Sequence, residues 1–214
     1  MHLLVFAVTP FITAVLAKSY SLHYEENRID AESEYVQYQD IYKAFNIAPD
    51  FYWLFGFNFH SRHTENKSCV YFDVETLNEE GMNYSSNFIR YGTSDKIEYI
   101  GQFYSTTYKN MSVDQKRDKH NSLYARTKSG TWVPMNYTLI YSDYQNCSIF
   151  RVLQAESGYG CMVLLTNAAA YTGMPNACKQ LYKNACAKYH HDKFENVFNN
   201  TCHRTNLNVS HCRK

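Results

Sequence analysis

The chain has 214 residues, of which 45% are hydrophobic and 19% charged, so it is long enough to bury a core within one domain. Its 21 Lys and Arg residues nearly balance its 20 Asp and Glu residues, and the net charge of +1 argues against a nucleic acid partner. Aromatic residues reach 16%, with 20 Tyr and 13 Phe, which favours β-strands or an aromatic cavity.

The first 17 residues, MHLLVFAVTPFITAVLA, are mostly apolar and are followed by the polar run KSYSLHYEENR. The apolar run is too short to span a bilayer and ends in small residues, which is typical of a secretory signal peptide. We expect cleavage after Ala17 and a single mature domain over residues 18–214, with a C-terminal tail from about residue 203. An uncleaved anchor is the alternative. The cleaved chain would be extracellular, with no membrane association.

The segment Glu34–Phe45, EYVQYQDIYKAF, carries apolar residues at helical spacing and predicts a short helix that ends before Pro49. The aromatic run Phe51–Phe59, FYWLFGFNF, predicts a strand packed on both faces, in which Gly56 marks a bend or bulge. A second helix is predicted over Lys179–Tyr189. Further strands follow the first at about ten-residue intervals, as in an all-β barrel or sandwich. They are Cys69–Leu77, Met82–Tyr91, Lys96–Tyr108, Leu123–Lys128, Trp132–Tyr141, Cys147–Gln154 and Tyr159–Thr166.

The sequence contains no G-x-S-x-G, H-E-x-x-H or G-x-G-x-x-G motif, which argues against an enzyme and against a cofactor. The histidine pairs His60 with His63 and His190 with His191 are interpreted as structural or solvent-facing rather than as metal ligands. The polar segment 110–121 is interpreted as a solvated loop.

Seven cysteines and seven N-x-S/T sequons agree with passage through the secretory pathway, where disulfides form. Cys178 and Cys186 are spaced too widely for a zinc knuckle, so no metal is expected. Because seven is odd, one thiol is left free or pairs with another chain. The candidate glycosylation sites are Asn66, Asn83, Asn110, Asn136, Asn146, Asn199 and Asn208.

Six short motifs occur in a distinctive order: YQDIYKAF, SCVYFDV, YSDYQNC, GYGC, MPNAC and VFNNTC. Together they resemble the tick salivary lipocalins of the histamine-binding group, over about Tyr38–Cys202. The resemblance implies an all-β fold with flanking helices, namely an eight-stranded antiparallel lipocalin barrel with a short N-terminal helix and a C-terminal helix. The G-x-W signature of many other lipocalins is absent near Gly56, as it often is in this family.

The resemblance also implies a disulfide pattern. Family members pair a cysteine at the head of the seventh strand with one that opens the C-terminal helix, here Cys147 with Cys178, and they tie the second strand to the tail, here Cys69 with Cys202. Cys161 with Cys186 is then a plausible third pair, which leaves Cys212 unpaired. Each bridge would contribute ~3–5 kcal/mol by constraining the unfolded chain.

The family's function, implied in the same way, is to bind a small ligand inside the barrel of a protein secreted in tick saliva. We expect this chain to be a monomer. Amine-binding members hold the cation with carboxylates between aromatic walls, in a pattern of Cys-Asp-aliphatic, Glu-Leu-Trp and Cys. This chain keeps the frame at Cys147, Cys161 and Cys178, but Ser148 stands in place of the Asp, and the Glu and Trp are missing. Asp95 is a candidate for another pocket acid, although its T-S-D-K context favours a turn. The expected ligand contacts are Tyr52, Phe57, Asp95, Tyr137 and Ser148.

Three hypotheses therefore remain open. An amine such as histamine or serotonin is the ligand that the family favours. A lipid mediator, such as a leukotriene or fatty acid, suits the apolar inner wall and would require a cation from Arg90, Arg126 or Arg151. In the third hypothesis the barrel is a scaffold that binds a host protein without a small ligand, but seven sequons would shield much of its surface.

Overall fold

The computed structural model describes residues 28–46, 51–112, 116–186 and 194–204. The expected signal peptide, Pro49, the histidine pair His190 and His191, and Cys212 lie outside these residues.

The N-terminal segment is helical, but it is not the single helix that its periodicity predicts. Two 3₁₀ helices, Ile29–Ala31 and Ser33–Tyr38, precede α1, Ile41–Asn46. The break falls at Gln39, whose buried amide donates to two distant carbonyl groups and leaves the helical path. Asp40 then starts α1 as an N-cap, because its Oδ1 accepts the backbone N–H of Lys43 at 2.9 Å.

All eight predicted strands are present, with boundaries shifted by a few residues. The predicted strand Trp132–Tyr141 begins only at Met135, because Pro134 has no N–H to donate to the sheet. The strands are β1 Phe51–Phe57, β2 Lys67–Asn78, β3 Gly81–Arg90, β4 Thr93–Tyr104, β5 Ser122–Thr127, β6 Met135–Ser142, β7 Cys147–Val152 and β8 Gly160–Leu165.

Antiparallel pairing closes these strands into a barrel. Consecutive strands pair with each other from β2 through β8. Strand β1 closes the barrel by pairing with both β8 and β2. A short strand β9, Glu195–Asn196, adds to β1 at Gly56 and Phe57. The register of β1 shifts between Leu54 and Gly56, which confirms the predicted bulge. A Cβ at Gly56 would lie 2.4 Å from the Glu195 carbonyl oxygen, so only glycine allows β9 to approach this closely.

Side chains alternate between the two faces of the barrel wall and form two cores. The inner core includes Leu54, Val70 and Phe150. The outer core includes Trp53 and Ile149, and it is covered by α2, Asn167–Thr172, and α3, Asn176–Cys186. The predicted C-terminal helix thus lies over β6 and β7, and the last three residues of its expected range lie outside the described part of the chain.

A buried polar network fastens the N-terminal segment to the outside of the barrel. Arg151 of β7 is fully buried and donates to Asp30 at 3.0 Å, and Arg28 also contacts the Asp30 carboxylate, at 3.2 Å. Arg117 donates to the side chain of Gln39 and to the backbone oxygen of Asp30. The interpretation of segment 110–121 as a fully solvated loop is therefore wrong at Arg117, which is only 8% exposed.

Three disulfides join the barrel to its C-terminal elements, and they are the two pairs implied by the family resemblance together with the third pair assigned from the remaining cysteines. Cys69 bonds Cys202, Cys147 bonds Cys178 and Cys161 bonds Cys186. None of the helices in the described part of the chain is long and apolar enough to cross a membrane.

Candidate functional site

The barrel encloses a cavity of about 80 Å³ between its two ends. Phe45 of α1 fills the closed end, where its ring lies 5.5 Å from Tyr52 and 5.8 Å from Phe150, centroid to centroid. At the opposite end, which we call the mouth, loop 58–66 and loop 128–134 contribute lining residues. Pockets for drug-sized ligands usually measure about 300–1,000 Å³. As it stands, the cavity suits a ligand about the size of one ring system, and a larger ligand requires these loops to move.

Three tyrosines line the cavity, and we call Tyr84, Tyr99 and Tyr137 the tyrosine triad. Tyr84 and Tyr99 are directly opposed on β3 and β4, and their rings stack at 5.0 Å. Among the described residues, none forms a hydrogen bond with a triad hydroxyl. Burial raises the pKa of Tyr99 to about 12 and also raises the pKa values of Tyr84 and Tyr137. The triad therefore presents neutral hydroxyl groups that can donate to or accept from a ligand.

The remaining lining is largely apolar and carries no negative charge. It includes Phe57, Phe72, Met82, Leu123, Val152 and Leu164. Of the described residues that line the cavity, none is an Asp or Glu. Within the described ranges there is also no group of three His, Cys, Asp or Glu side chains that could hold a metal ion.

Two loops meet over the mouth through one ring contact. The imidazole of His63 lies 4.7 Å from the Trp132 ring, centroid to centroid, and both residues line the cavity. Burial, with the neighbouring charge of Lys67, lowers the pKa of His63, so the imidazole is neutral near neutral pH. The sequence interpretation treated His63 as structural or solvent-facing and missed its place at the cavity.

The structure brings together some of the residues expected to contact a ligand. Phe57 and Tyr137 line the cavity. Tyr52 faces the interior but donates its hydroxyl to the Ala44 carbonyl, so it supports α1 rather than the cavity wall. Ser148 is buried on the inward side of β7, near the closed end, where it donates to Ser142 at 2.9 Å. Asp95 is exposed near the start of β4 and accepts the backbone N–H of Lys96.

The three arginines considered as ligand cations lie in different environments. Arg126 is exposed and follows the inward-facing Ala125, so it lies on the outer face of β5. Arg151 is on the outer face of β7, beneath α3, and is occupied by Asp30 and the Ala185 carbonyl. Only Arg90 lies at the mouth, at the end of β3.

The candidate glycosylation sites differ in exposure. Asn66, Asn110 and Asn199 are exposed, while Asn83, Asn136 and Asn146 are half-buried. Asn136 accepts a hydrogen bond from the Tyr104 hydroxyl at 3.0 Å. Asn208 lies outside the described residues.

Known proteins were compared with the chain in three ways. A family model described as tick histamine binding protein matches residues 29–204. The search of curated proteins gave no match. Among solved structures, AM182 in its serotonin complex is similar with a TM-score of 0.55 at 14% identity, over 77% of this chain and 92% of that one.

Two further solved structures have a similar fold. Insecticyanin from the tobacco hornworm Manduca sexta is similar with a TM-score of 0.50 at 12% identity, over 74% of this chain and 82% of that one. Apocrustacyanin C1 is similar with a TM-score of 0.51 at 13% identity, over 74% of this chain and 81% of that one. Such low identities show the fold alone. The family model, however, spans most of the sequence, and the chain therefore belongs to the tick histamine-binding protein family, as a ligand-binding lipocalin.

Proposed function

We propose that this protein is secreted in tick saliva and sequesters a small host mediator in its barrel, as a monomer and without catalysis. Family membership and three disulfides, which form and persist in oxidising compartments, support secretion. The enclosed cavity with its tyrosine triad carries the proposal. Apolar walls that surround a few hydroxyl groups without partners are the usual composition of a small-molecule site.

The charge of the lining favours a neutral or anionic mediator, such as a fatty acid or leukotriene, over an amine. A desolvated ammonium group needs a counter-charge, and the described lining supplies none. Tyrosine ring faces attract cations, but this contribution is about 0.5–2 kcal/mol and does not replace a carboxylate. AM182 is a serotonin complex, so an amine such as serotonin or histamine is the alternative.

The proposal can be tested by calorimetric titration of the refolded full chain with arachidonate, leukotrienes, histamine and serotonin. We expect one of the first two classes to bind with a 1:1 stoichiometry. Ala125→Phe should abolish binding because Ala125 lines the cavity, and the phenyl ring would fill it. Tyr124→Phe is the matched control. Tyr124 is the residue next to Ala125, and its side chain points outward and is 37% exposed.

The loss of binding in Ala125→Phe supports the proposal only if circular dichroism shows that the variant is folded. Submicromolar binding of histamine would contradict the assignment of ligand charge. If none of the four ligands binds to the wild-type chain, sequestration of a small mediator is wrong.

A further inference from the structure

Lys67 lies at the mouth, beside the cavity. It is the first residue of β2 and pairs in register with Arg90 of β3. Its Nζ lies 3.9 Å from the centroid of the Phe88 ring, which belongs to the inner core. The Lys67 backbone N–H donates to the carbonyl of Thr64, a residue that lines the cavity. The ammonium group therefore sits above the inner face of the wall, where a bound molecule would leave the barrel.

The charges around Lys67 leave its ammonium group poorly compensated. The charge of Arg90 on β3 repels the Lys67 ammonium group, and the charge of Asp95 on β4 attracts it. His63 of loop 58–66 is the neighbouring titratable group. Among the described residues, no carboxylate lies within ion-pairing distance of Lys67. Burial and then Arg90 lower the pKa of Lys67 to about 8, while Asp95 acts in the opposite direction. An anion placed here would relieve both the desolvation of the ammonium group and its repulsion by Arg90.

We propose that Lys67 is the contact for the carboxylate of an anionic ligand whose apolar body occupies the cavity, with Arg90 as the second cation beside it. This inference rests on the proposed function and names the charged end of its ligand. Phe88 holds the lysine chain over the inner wall, so the carboxylate would bind at the mouth while rings or acyl carbons contact the apolar lining. The same position repels an ammonium group, so it also discriminates against amines.

Three ligands that share a hydroxyindole body but differ in charge test this inference. They are 5-hydroxyindole-3-acetate, 5-hydroxytryptophol and serotonin, which are an anion, a neutral alcohol and a cation at pH 7. In calorimetric titrations of the full chain, we expect the acid to bind more tightly than the alcohol and the amine to bind most weakly. Loss of the charge-assisted hydrogen bond in Lys67→Gln should weaken binding of the acid about tenfold or more and leave the alcohol unchanged.

The pH dependence provides an independent readout. Raising the pH from 7 to 9 deprotonates Lys67 in the free protein, whose pKa is about 8, so affinity for the acid should fall about tenfold. Lys67→Arg should retain binding of the acid and lose this fall. Lys96→Gln is the control, because Lys96 is an exposed lysine that pairs with Glu98, and it should behave like the wild type.

Two results would overturn the inference alone. One is serotonin binding as tightly as the acid, and the other is affinity for the acid that is unchanged by Lys67→Gln and by pH. In either case small-molecule binding itself still stands. If neither the three indoles nor arachidonate, leukotrienes or histamine bind, the proposed function fails, and the inference fails with it.

Discussion

Replacing Asp30 with Ala should destabilise the protein severely, although Asp30 lies in a short 3₁₀ helix outside the barrel. The change leaves the Arg151 guanidinium, which is fully buried, without its carboxylate partner at 3.0 Å. The Ala185 carbonyl would still accept from Nη1, but it carries no full charge, and the Arg151 Nε atom already lacks a hydrogen-bond partner in the described structure. Removing one member of a buried ion pair typically costs about 3–5 kcal/mol, and we expect a loss in this range.

Urea denaturation followed by tryptophan fluorescence measures this loss, with Arg28→Ala as the matched control. Arg28 contacts the same carboxylate at 3.2 Å, but its side chain is 34% exposed, so its removal should cost about 0–1 kcal/mol. The double variant Asp30→Ala with Arg151→Met should recover much of the stability, because it removes the unpaired charge. Equal effects of Asp30→Ala and Arg28→Ala would refute this reasoning.

The ion pair also predicts how stability depends on pH. Burial opposes ionisation of Asp30, but Arg151 and Arg28 outweigh it and hold the pKa of Asp30 below its ordinary value of 3.8. Because the folded state has the lower pKa, the stabilisation is fully present above about pH 4 and is lost as the pH falls through the folded value. Asp30→Asn should remove this part of the acid dependence. An unchanged acid-unfolding profile in this variant would contradict the assignment.

Three other predictions concern the cavity, β1 and the disulfides. Tyr99→Phe should weaken binding of an identified ligand about 2- to 12-fold without lowering stability, since it removes one hydroxyl that has no described partner; an unchanged affinity in calorimetry would remove Tyr99 from the site. Gly56→Ala should cost ~1–3 kcal/mol in urea denaturation, because the new methyl group collides with β9; a neutral effect would show that β9 is dispensable. Replacing the Cys69–Cys202 pair with Ser should cost about 5 kcal/mol, against about 3.5 kcal/mol for Cys161–Cys186, because the bridges close loops of 133 and 25 residues. The opposite order would contradict the loop-entropy argument.

The sequence predicts the barrel well because strand formation depends on local features. Runs of alternating or aromatic residues separated by turns identify all eight strands, and Gly56 identifies the bulge. The positions of polar groups are less predictable, because their partners are far away in sequence. Gln39 breaks the first helix by binding Ile140 and Arg117, which lie 101 and 78 residues away. Arg117, in turn, is buried within a segment whose composition is typical of a solvated loop.

The cavity was predicted only in part, for a related reason. Strand alternation indicates which side chains of one strand share a face, but not which faces of different strands meet. Tyr137 was therefore a candidate, while Tyr84 and Tyr99 became recognisable only through their direct pairing across β3 and β4. The alternation of Tyr84, Ser86 and Phe88 in β3 was the available signal. His63 had no comparable signal, since it lies in a polar loop whose fold over the mouth is set by tertiary contacts.

Ser148 connects the family resemblance with the charge of the ligand. By the family resemblance it corresponds to the position of an Asp in amine-binding members, and it is buried on the same side of β7 as Phe150 and Val152. Here the position holds a neutral hydroxyl that is already bonded to Ser142. Ser148 therefore supplies no counter-charge for a cation at the closed end, while the mouth carries Lys67 and Arg90. Both features agree with the proposed preference for an acid over an amine, because a cation lacks a carboxylate partner at the closed end and meets like charges at the mouth.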